Sequence, residues 1–215
     1  RLDADEEVTE ELANEINERL DKLPFDVNGV ILKRRVYFLG KWIKHGGIYP
    51  QYLLRIFRKG KGRVEDKIMD EHIILLSGKT VTFKHDFIDK NNKPLEWWIA
   101  KHNWYSDREV YEILELENLK ASGKLIEPKL FGDHNSRKRW LKEKIYLKFP
   151  LGLRAWLYYV YRVYIRLGFL DGKEGRIFHF LQGYWYRYLV DAKLYEFKKS
   201  NRSIEELRTR VFKSL

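Results

Sequence analysis

The sequence has no cysteine. The chain therefore forms no disulfide framework and offers no thiolate metal site, which fits a reducing cytoplasm. It also lacks any run approaching the roughly 18 uninterrupted apolar residues of a membrane-spanning helix, so we expect a chain that does not cross a membrane. Internal repeats and low-complexity linkers are missing as well. What remains is a composition typical of a globular protein.

Positive charge is in excess and is unevenly distributed. The chain has 42 Lys and Arg against 31 Asp and Glu, a net charge of +11. Residues 1–24 are acidic, with nine Asp or Glu against three Lys or Arg, whereas residues 137–199 carry fifteen Lys or Arg against five acids. About half of all the aromatic residues also lie in this second stretch. Such a stretch predicts an anionic partner, either a membrane surface or a nucleic acid.

The first half of the chain alternates between helical and strand patterns. Apolar residues recur every four positions early in the chain and predict a helix over residues 9–22. Branched and aromatic residues predict strands at 30–40 and 52–59, and two short strands, IILL and TVTF, around the turn Ser77-Gly78. This half is therefore expected to be mixed α/β.

The second half of the chain is predicted to be helical from Pro94 onward. Ser106 and Glu109 have the spacing of a capping box, and Gly123 is a plausible helix end. Residues 151–200 are helical by pattern, with breaks near Gly168 and Gly172, and a second capping box, Ser203 with Glu206, predicts a last short helix. The chain thus divides into an α/β part, residues 1–105, and a helical part, residues 106–215.

The stretch LDAD near the start places Asp3 and Asp5 one residue apart after an apolar residue. Two carboxylates at this spacing, at the exit of a buried strand, hold a hard divalent cation that bridges a diphosphate. A calcium-binding EF-hand loop is disfavoured because Val8 stands where that loop has glycine. The alternative is an acidic lead-in to the first helix, and these residues alone favour neither interpretation.

A second acidic pair, Asp70 and Glu71, follows an apolar residue within a basic stretch. A carboxylate in such a place could deprotonate an acceptor hydroxyl as general base, although the spacing alone favours a solvated acidic turn. His85, which follows TVTFK, is by itself better explained as a loop histidine than as a ligand.

The basic, aromatic stretch contains two stripes at helical spacing. Trp156, Val160, Val163 and Leu167 form one stripe, while Arg162 and Arg166 share another. Tyrosine and tryptophan with intermittent arginine is the composition of a helix lying among lipid headgroups. The alternative is that the aromatic residues pack the helices against the α/β part. The two interpretations are compatible, because a wide apolar surface can contact both the core and lipid.

Taken in order, these segments resemble an inverting family-2 glycosyltransferase of the GT-A fold, from its metal motif onward. The similar segments are RLDADEEVTEELANEI, GGIYPQYLLRIFRKGKGRVED, MDEHIILLSGKTVTFKHDFID and GFLDGKEGRIFHFLQGYWYRYLVDAKLYE. The last two, with KPLEWWIAKHNWYSDRE between them, are similar to a bacterial branch that builds exopolysaccharide, capsule or lipopolysaccharide. The resemblance covers essentially the whole chain. What departs from the family is the start, because the usual nucleotide-binding first half is not in this sequence.

The resemblance implies a fold and a set of roles. Residues 1–105 would be the C-terminal half of a GT-A-like nucleotide-diphospho-sugar transferase domain, and 106–215 a mostly helical, membrane-surface region. Asp3 and Asp5 match the Asp-x-Asp that holds Mg²⁺ or Mn²⁺ and the donor diphosphate. Glu71 matches the catalytic base, with Asp70 as the runner-up. Arg55 and His85 lie in matching segments and would contact phosphates or the acceptor.

The function implied is transfer of a sugar from a nucleotide-sugar donor to a saccharide acceptor, expected to be linked to polyprenyl diphosphate. The protein would lie on the cytoplasmic face of a bacterial inner membrane, peripherally, with no nucleic acid as partner. Without the nucleotide-binding half we expect no activity. Two alternatives from other classes are a basic, non-enzymatic nucleic-acid-binding module and a structural membrane-interface protein.

Overall fold

A computed structural model describes most of the chain and divides it into two compact units. The first unit is Arg1–Pro94 with Tyr161–His179, and the second is Leu95–Val160 with Phe180–Leu215. In the part of the chain that is described, no helix is both long and apolar enough to cross a membrane. The described residues are 1–65, 72–122, 149–200 and 202–213.

The first unit is built on a mixed β-sheet, and its first helix, α1 (Glu10–Arg19), continues as a 3₁₀ turn over Leu20–Lys22. Helix α1 confirms the predicted helix, except that its last turn is tighter. The strands are β1 (Glu6–Val8), β2 (Val27–Phe38), β3 (Lys41–Ile43), β4 (Gln51–Phe57), β5 (Gly62–Val64), β6 (Ile73–Leu75) and β7 (Lys79–Lys90).

The sheet combines parallel and antiparallel pairs. The long strands β2 and β7 run parallel to each other, β1 pairs antiparallel with β7 at one edge, and β3 and β4 pair antiparallel with β2. Strands β5 and β6 form a separate two-stranded sheet. The α/β class predicted from the sequence is therefore confirmed.

The core of the first unit lies between α1 and the long strands. Thr9 caps α1 by accepting a hydrogen bond from the backbone N–H of Leu12 at 3.2 Å. Leu12 is fully buried and packs with side chains of β2 and β7, because the four-residue spacing of α1 puts its apolar residues on one face. The core side chains are Leu12, Val30, Leu32, Phe83 and Phe87.

One strand is longer than the sequence predicts. TVTF is the first half of β7, which continues through Lys90 and pairs with β2 on one side and β1 on the other. The prediction of a short strand was wrong because two polar residues, His85 and Asp86, lie within β7 and find partners on other elements. The turn before β7 is as predicted, with Gly78 at φ +85°.

The remaining helices follow the sheet in sequence. They are α2 (Leu95–Ala121), α3 (Leu153–Val160), α4 (Gly172–Phe178), α5 (Tyr186–Lys199) and α6 (Ile204–Lys213). Helix α4 belongs to the first unit and the others to the second. Irregular turns separate α3 from α5: π-helical turns at Tyr161–Ile165 and His179–Trp185, and a 3₁₀ turn at Gly168–Asp171. The predicted breaks near Gly168 and Gly172 are thus confirmed.

Helix α2 runs without interruption through the predicted capping box and through the predicted boundary between residues 105 and 106. The hydroxyl of Ser106 is buried and donates to the carbonyl of Asn103 at 2.6 Å, so Ser106 does not begin a helix. Glu109 accepts hydrogen bonds from Tyr186 and Arg187 of α5 instead. The capping-box prediction was wrong because these distant partners take the Glu109 carboxylate. Gly123 lies outside the described residues.

The rest of the second unit is held by ion pairs as well as by apolar contacts. Arg154 of α3 and Asp191 of α5 are both buried, with the Arg154 Nε donating to Asp191 Oδ1 at 2.6 Å. The other oxygen of Asp191 accepts from the backbone N–H of Gly152 at 3.0 Å. At α6, the backbone N–H of Glu206 donates to Ser203 Oγ at 3.2 Å, which confirms Ser203 as an N-cap.

The predicted aromatic stripe is not a single face. Trp156 and Leu167 are exposed, but Val163 is buried. Arg162, predicted to share a stripe with Arg166, is also buried and contacts His179. The π-helical turn explains the error, because it widens the helix and shifts later residues away from the register of a regular α-helix.

Candidate functional site

Asp3 and Asp5 lie just before the edge strand β1. The backbone N–H of Glu6 donates to the Asp3 carbonyl at 3.0 Å, and the Asp3 N–H donates to Glu6 Oε2 at 3.0 Å, which closes a tight turn. The Asp5 carbonyl accepts from the N–H of Lys90, so the β1–β7 pairing begins there. The motif therefore precedes a strand, and Leu2 is exposed. Both carboxylates are accessible, with the Asp3 side chain 54% exposed.

The structure brings Arg55, on strand β4, to Asp3. One guanidinium nitrogen, Nη2, lies 3.3 Å from Asp3 Oδ2 and also contacts Glu6 Oε1. The guanidinium carbon lies 5.3 Å from the centre of the Phe87 ring. Arg55 is thus held between a carboxylate and an aromatic face, with its charge next to the exposed Asp3.

Glu6 and Asp89 belong to the same cluster, and sequence reasoning missed both. They stand opposite each other in the β1–β7 pairing. Burial raises the pKa of Glu6, while the backbone N–H of Asp3 and the charge of Arg55 act to lower it. Asp89 in turn is 3.1 Å from Arg34. The signal in the sequence was the alternation of charged residues along β1 and β7, which became interpretable only with the strand register known.

His85 contacts helix α1. It lies in β7, so the prediction of a loop position was wrong. Its Nδ1 is 2.9 Å from Glu15 Oε2, and the backbone N–H groups of Lys84 and His85 also donate to the Glu15 carboxylate. Burial alone would raise the pKa of Glu15, but these hydrogen bonds lower it to about 2. The observed contacts of His85 therefore tie α1 to β7.

A second charged cluster surrounds Asp86, which is almost fully buried. Lys33 Nζ lies 3.1 Å from Asp86 Oδ1, Arg35 Nε donates to Oδ2 at 2.7 Å, and the Tyr49 hydroxyl donates to Oδ2 at 3.0 Å. Burial would raise the pKa of Asp86, but the hydrogen bonds from Arg35, Lys33 and Tyr49 keep it below its ordinary value. The guanidinium of Arg35 also lies over the ring of Trp42, at 4.7 Å.

The loop after β3 is held by the segment Tyr161–His179. Asp171, buried, accepts from the backbone N–H of His45 at 2.9 Å and lies 2.7 Å from its Nδ1. His179 is fully buried against Gly46 and Gly168, neither of which has room for a Cβ. Burial lowers the pKa of His179 to about 4, and the nearby charge of Arg162 acts in the same direction. The histidine is therefore neutral at physiological pH.

Asp3 and Asp5 suit a divalent metal ion whose remaining ligands come from substrate and water. Among the described residues, no three His, Asp or Glu side chains form a group that could hold a metal ion. Magnesium, however, is commonly bound through one or two carboxylates together with substrate phosphates and water. Asp3 and Asp5 would supply two exposed carboxylates, and these hard oxygen donors suit Mg²⁺ or Mn²⁺.

The predicted catalytic pair, Asp70 and Glu71, lies outside the described residues. Their neighbour His72 is described, with Nδ1 3.7 Å from Glu65, and the backbone N–H of Glu65 donates to the His72 carbonyl at 2.8 Å. These contacts join the residues on either side of the segment 66–71. The role of Glu71 or Asp70 as general base stays a prediction.

No known family model matches the chain, and no solved structure matches it.

Proposed function

We propose that the chain is the C-terminal half of the GT-A-like catalytic domain, with its helical region, of an inverting family-2 glycosyltransferase. The enzyme transfers a sugar from a nucleotide-sugar donor to a lipid-linked saccharide in bacterial surface polysaccharide synthesis. The observation that carries the proposal is the pair of exposed carboxylates, Asp3 and Asp5, at the edge of the sheet with the Arg55 guanidinium beside them. The order of the motifs along the chain supports the same family.

In this proposal the donor diphosphate binds at the edge of the sheet. Asp3 and Asp5 would hold Mg²⁺ or Mn²⁺, and the ion would supply positive charge to offset the charge that develops on the leaving diphosphate. Arg55 is fixed by Glu6 and packs on Phe87, so its charge is positioned before substrate binds. A guanidinium is suited to this role because its fork of donors matches phosphate oxygens.

Glu71 acts as the general base, with Asp70 as the alternative. The carboxylate takes the proton of the acceptor hydroxyl as that oxygen attacks the anomeric carbon. The bond between the anomeric carbon and the diphosphate oxygen breaks, and its electron pair leaves with the nucleoside diphosphate. A single displacement inverts the anomeric configuration, and no covalent sugar–enzyme intermediate forms.

The acceptor is lipid-linked, so the enzyme works at the surface of the inner membrane, on its cytoplasmic side. Many large apolar side chains of the helical region are exposed, among them Trp156, Tyr164 and Ile165. A nucleic acid is less suited as partner because several cations of the second unit are neutralised. Arg187 is paired with Glu109 at 2.6 Å and Lys193 with Asp107 at 2.9 Å.

Calorimetry on the natural polypeptide that carries this chain tests the donor site. With Mn²⁺ present, one of a panel of nucleoside diphosphates should bind, and chelation of the metal should weaken binding by about tenfold or more. Asp3→Asn and Asp5→Asn should each reproduce the effect of chelation, because each removes a charged oxygen ligand. Glu7→Gln, at an exposed carboxylate in the strand β1 that follows them, is the matched control. Equal binding with and without metal would remove Asp3 and Asp5 from the donor site.

A further inference from the structure

The first unit exposes six large apolar side chains in the segment that runs from the π-helical turn to the start of α4. Ile165 is 69% exposed, Tyr164 62% and Leu170 54%. Six of the ten residues 161–170 are large, exposed and apolar, and exposed apolar patches commonly mark interaction sites. The group, here named the apolar tip, consists of Tyr161, Tyr164, Ile165, Leu167, Phe169 and Leu170.

The apolar tip is fixed by the structure beneath it. The carbonyl of Arg166 accepts from the backbone N–H of Gly46 at 2.8 Å, and Gly168 packs directly on the buried His179. Leu167 has φ +58°, in the left-handed region that a leucine rarely adopts. A strained, exposed leucine is held there because its neighbours are anchored, which is typical of a preformed binding element.

Basic side chains of the same unit are exposed around this segment. Of its two acidic residues, Asp171 is buried, with Oδ1 2.7 Å from His45 Nδ1, and Glu174 lies 3.8 Å from Lys41. The sequence therefore combines an apolar tip with an excess of positive charge. The exposed cations are Lys41, Lys44, Arg166, Lys173 and Arg176.

We propose that the apolar tip inserts into the headgroup region of an anionic lipid bilayer. The phenols of Tyr161 and Tyr164 suit that region because one end of each ring is apolar and the other is polar. The surrounding cations attract anionic headgroups, whereas a second copy of the chain would bring the same positive charge against them. An anionic bilayer is therefore favoured over self-association as the partner of this surface.

This inference rests on the proposed function, since it identifies which residues bring the enzyme to its membrane. It differs from the sequence prediction, which assigned lipid contact to the whole of residues 106–215. The apolar tip belongs to the same compact unit as Asp3 and Asp5. Insertion of the tip would therefore anchor the unit that carries the donor-site residues.

A fluorescent label tests insertion directly, and the absence of cysteine makes the labelling specific. Ile165→Cys and Phe25→Cys are each coupled to an environment-sensitive dye, Phe25 being an exposed aromatic residue of the same unit outside the tip. Vesicles of phosphatidylcholine mixed with phosphatidylglycerol should shift the emission at position 165 to shorter wavelength and leave position 25 unchanged. Equal responses at both positions, or none at 165 while the protein sediments with vesicles, would overturn the proposal.

Vesicle sedimentation of unlabelled protein gives the affinity. Ile165→Asp with Leu170→Asp should weaken binding to the mixed vesicles by about tenfold or more, because two exposed apolar side chains become charged. The matched control, Phe25→Asp with Leu76→Asp, adds the same charge at exposed positions outside the tip and should bind like wild type. Vesicles of phosphatidylcholine alone should bind less well than the mixed vesicles. Near-ultraviolet circular dichroism verifies that each variant is folded.

The outcomes separate this inference from the proposed function. If the tip variant binds vesicles like wild type, the tip inference fails, while donor binding by Asp3 and Asp5 stands or falls on its own. If the wild type binds no vesicles and the tip variant instead dissociates a dimer on sizing, self-association replaces the bilayer as the partner. If the wild type binds through the tip but no nucleoside diphosphate binds, the tip inference holds and the proposed enzyme fails.

Discussion

If the proposed function holds, replacing Asp5 with alanine abolishes sugar transfer by the natural protein. The change removes a carboxylate just before β1 that we assign to the metal and the donor diphosphate. Loss of one group that stabilises charge in a transition state commonly lowers the rate by about a hundredfold or more. Turnover of radiolabelled nucleotide sugar is the measurement, and the loss should be seen in kcat as well as in kcat/KM.

Glu7→Ala is the matched control for Asp5→Ala. Glu7 is an exposed carboxylate two residues further along the chain, in β1, so its loss changes the net charge equally. We expect Glu7→Ala to transfer sugar at the wild-type rate and both variants to melt at the wild-type temperature. Wild-type turnover by Asp5→Ala would remove this residue from the mechanism.

Replacing Asp86 with alanine is expected to destabilise the first unit by about 1.5–3 kcal/mol, because a buried carboxylate that accepts hydrogen bonds from charged groups is lost. The change leaves the charges of Lys33 and Arg35 without the carboxylate that both contact. Asp26→Ala is the contrasting variant, because its pair with Lys79 is exposed and should contribute less than about 1 kcal/mol. Hydrogen exchange of the β2 and β7 amides measures the unfolding free energy of this unit.

The same carboxylate predicts how the first unit responds to acid. The pKa of Asp86 is lowered in the folded state, so its contribution is complete above the pKa of the unfolded chain and is lost as the pH falls through the folded value. Glu15, whose pKa falls from 4.5 to about 2, behaves in the same way. The unfolding free energy should therefore decrease between about pH 4.5 and pH 2, and less steeply in Asp86→Ala. A flat profile over this range would contradict the assignment.

The elements that the sequence predicts well are those set by local chemistry. Helix α1 follows from the spacing of Leu12 and Ile16 and from the cap at Thr9, all within a few residues. The capping box at Ser106 failed although its signature is equally local, because the partners of Glu109 lie 77 and 78 residues away on α5. A short motif is informative only where no distant partner competes for its side chains.

The candidate site depends still more on contacts between distant residues. Asp3 and Arg55 were both predicted as site residues. Glu6 was not, because its place in the cluster follows from the strand pairing that sets it opposite Asp89. The return of residues 161–179 to the first unit could not be predicted, since Asp171 meets His45 across 126 residues of chain. The pattern of apolar and polar residues predicts which face of a strand or helix a side chain occupies. It does not predict which distant residue that side chain contacts.

The anomeric configuration of the product tests the central claim most directly. The natural enzyme is incubated with a panel of nucleotide sugars, a lipid-linked acceptor and Mg²⁺ or Mn²⁺, and the new glycosidic bond is assigned by nuclear magnetic resonance. We predict transfer from one donor, with the anomeric configuration inverted and with loss of product in Asp5→Ala. A retained configuration, or a folded protein that transfers no sugar but binds oligonucleotides in a salt-sensitive way, would contradict the account.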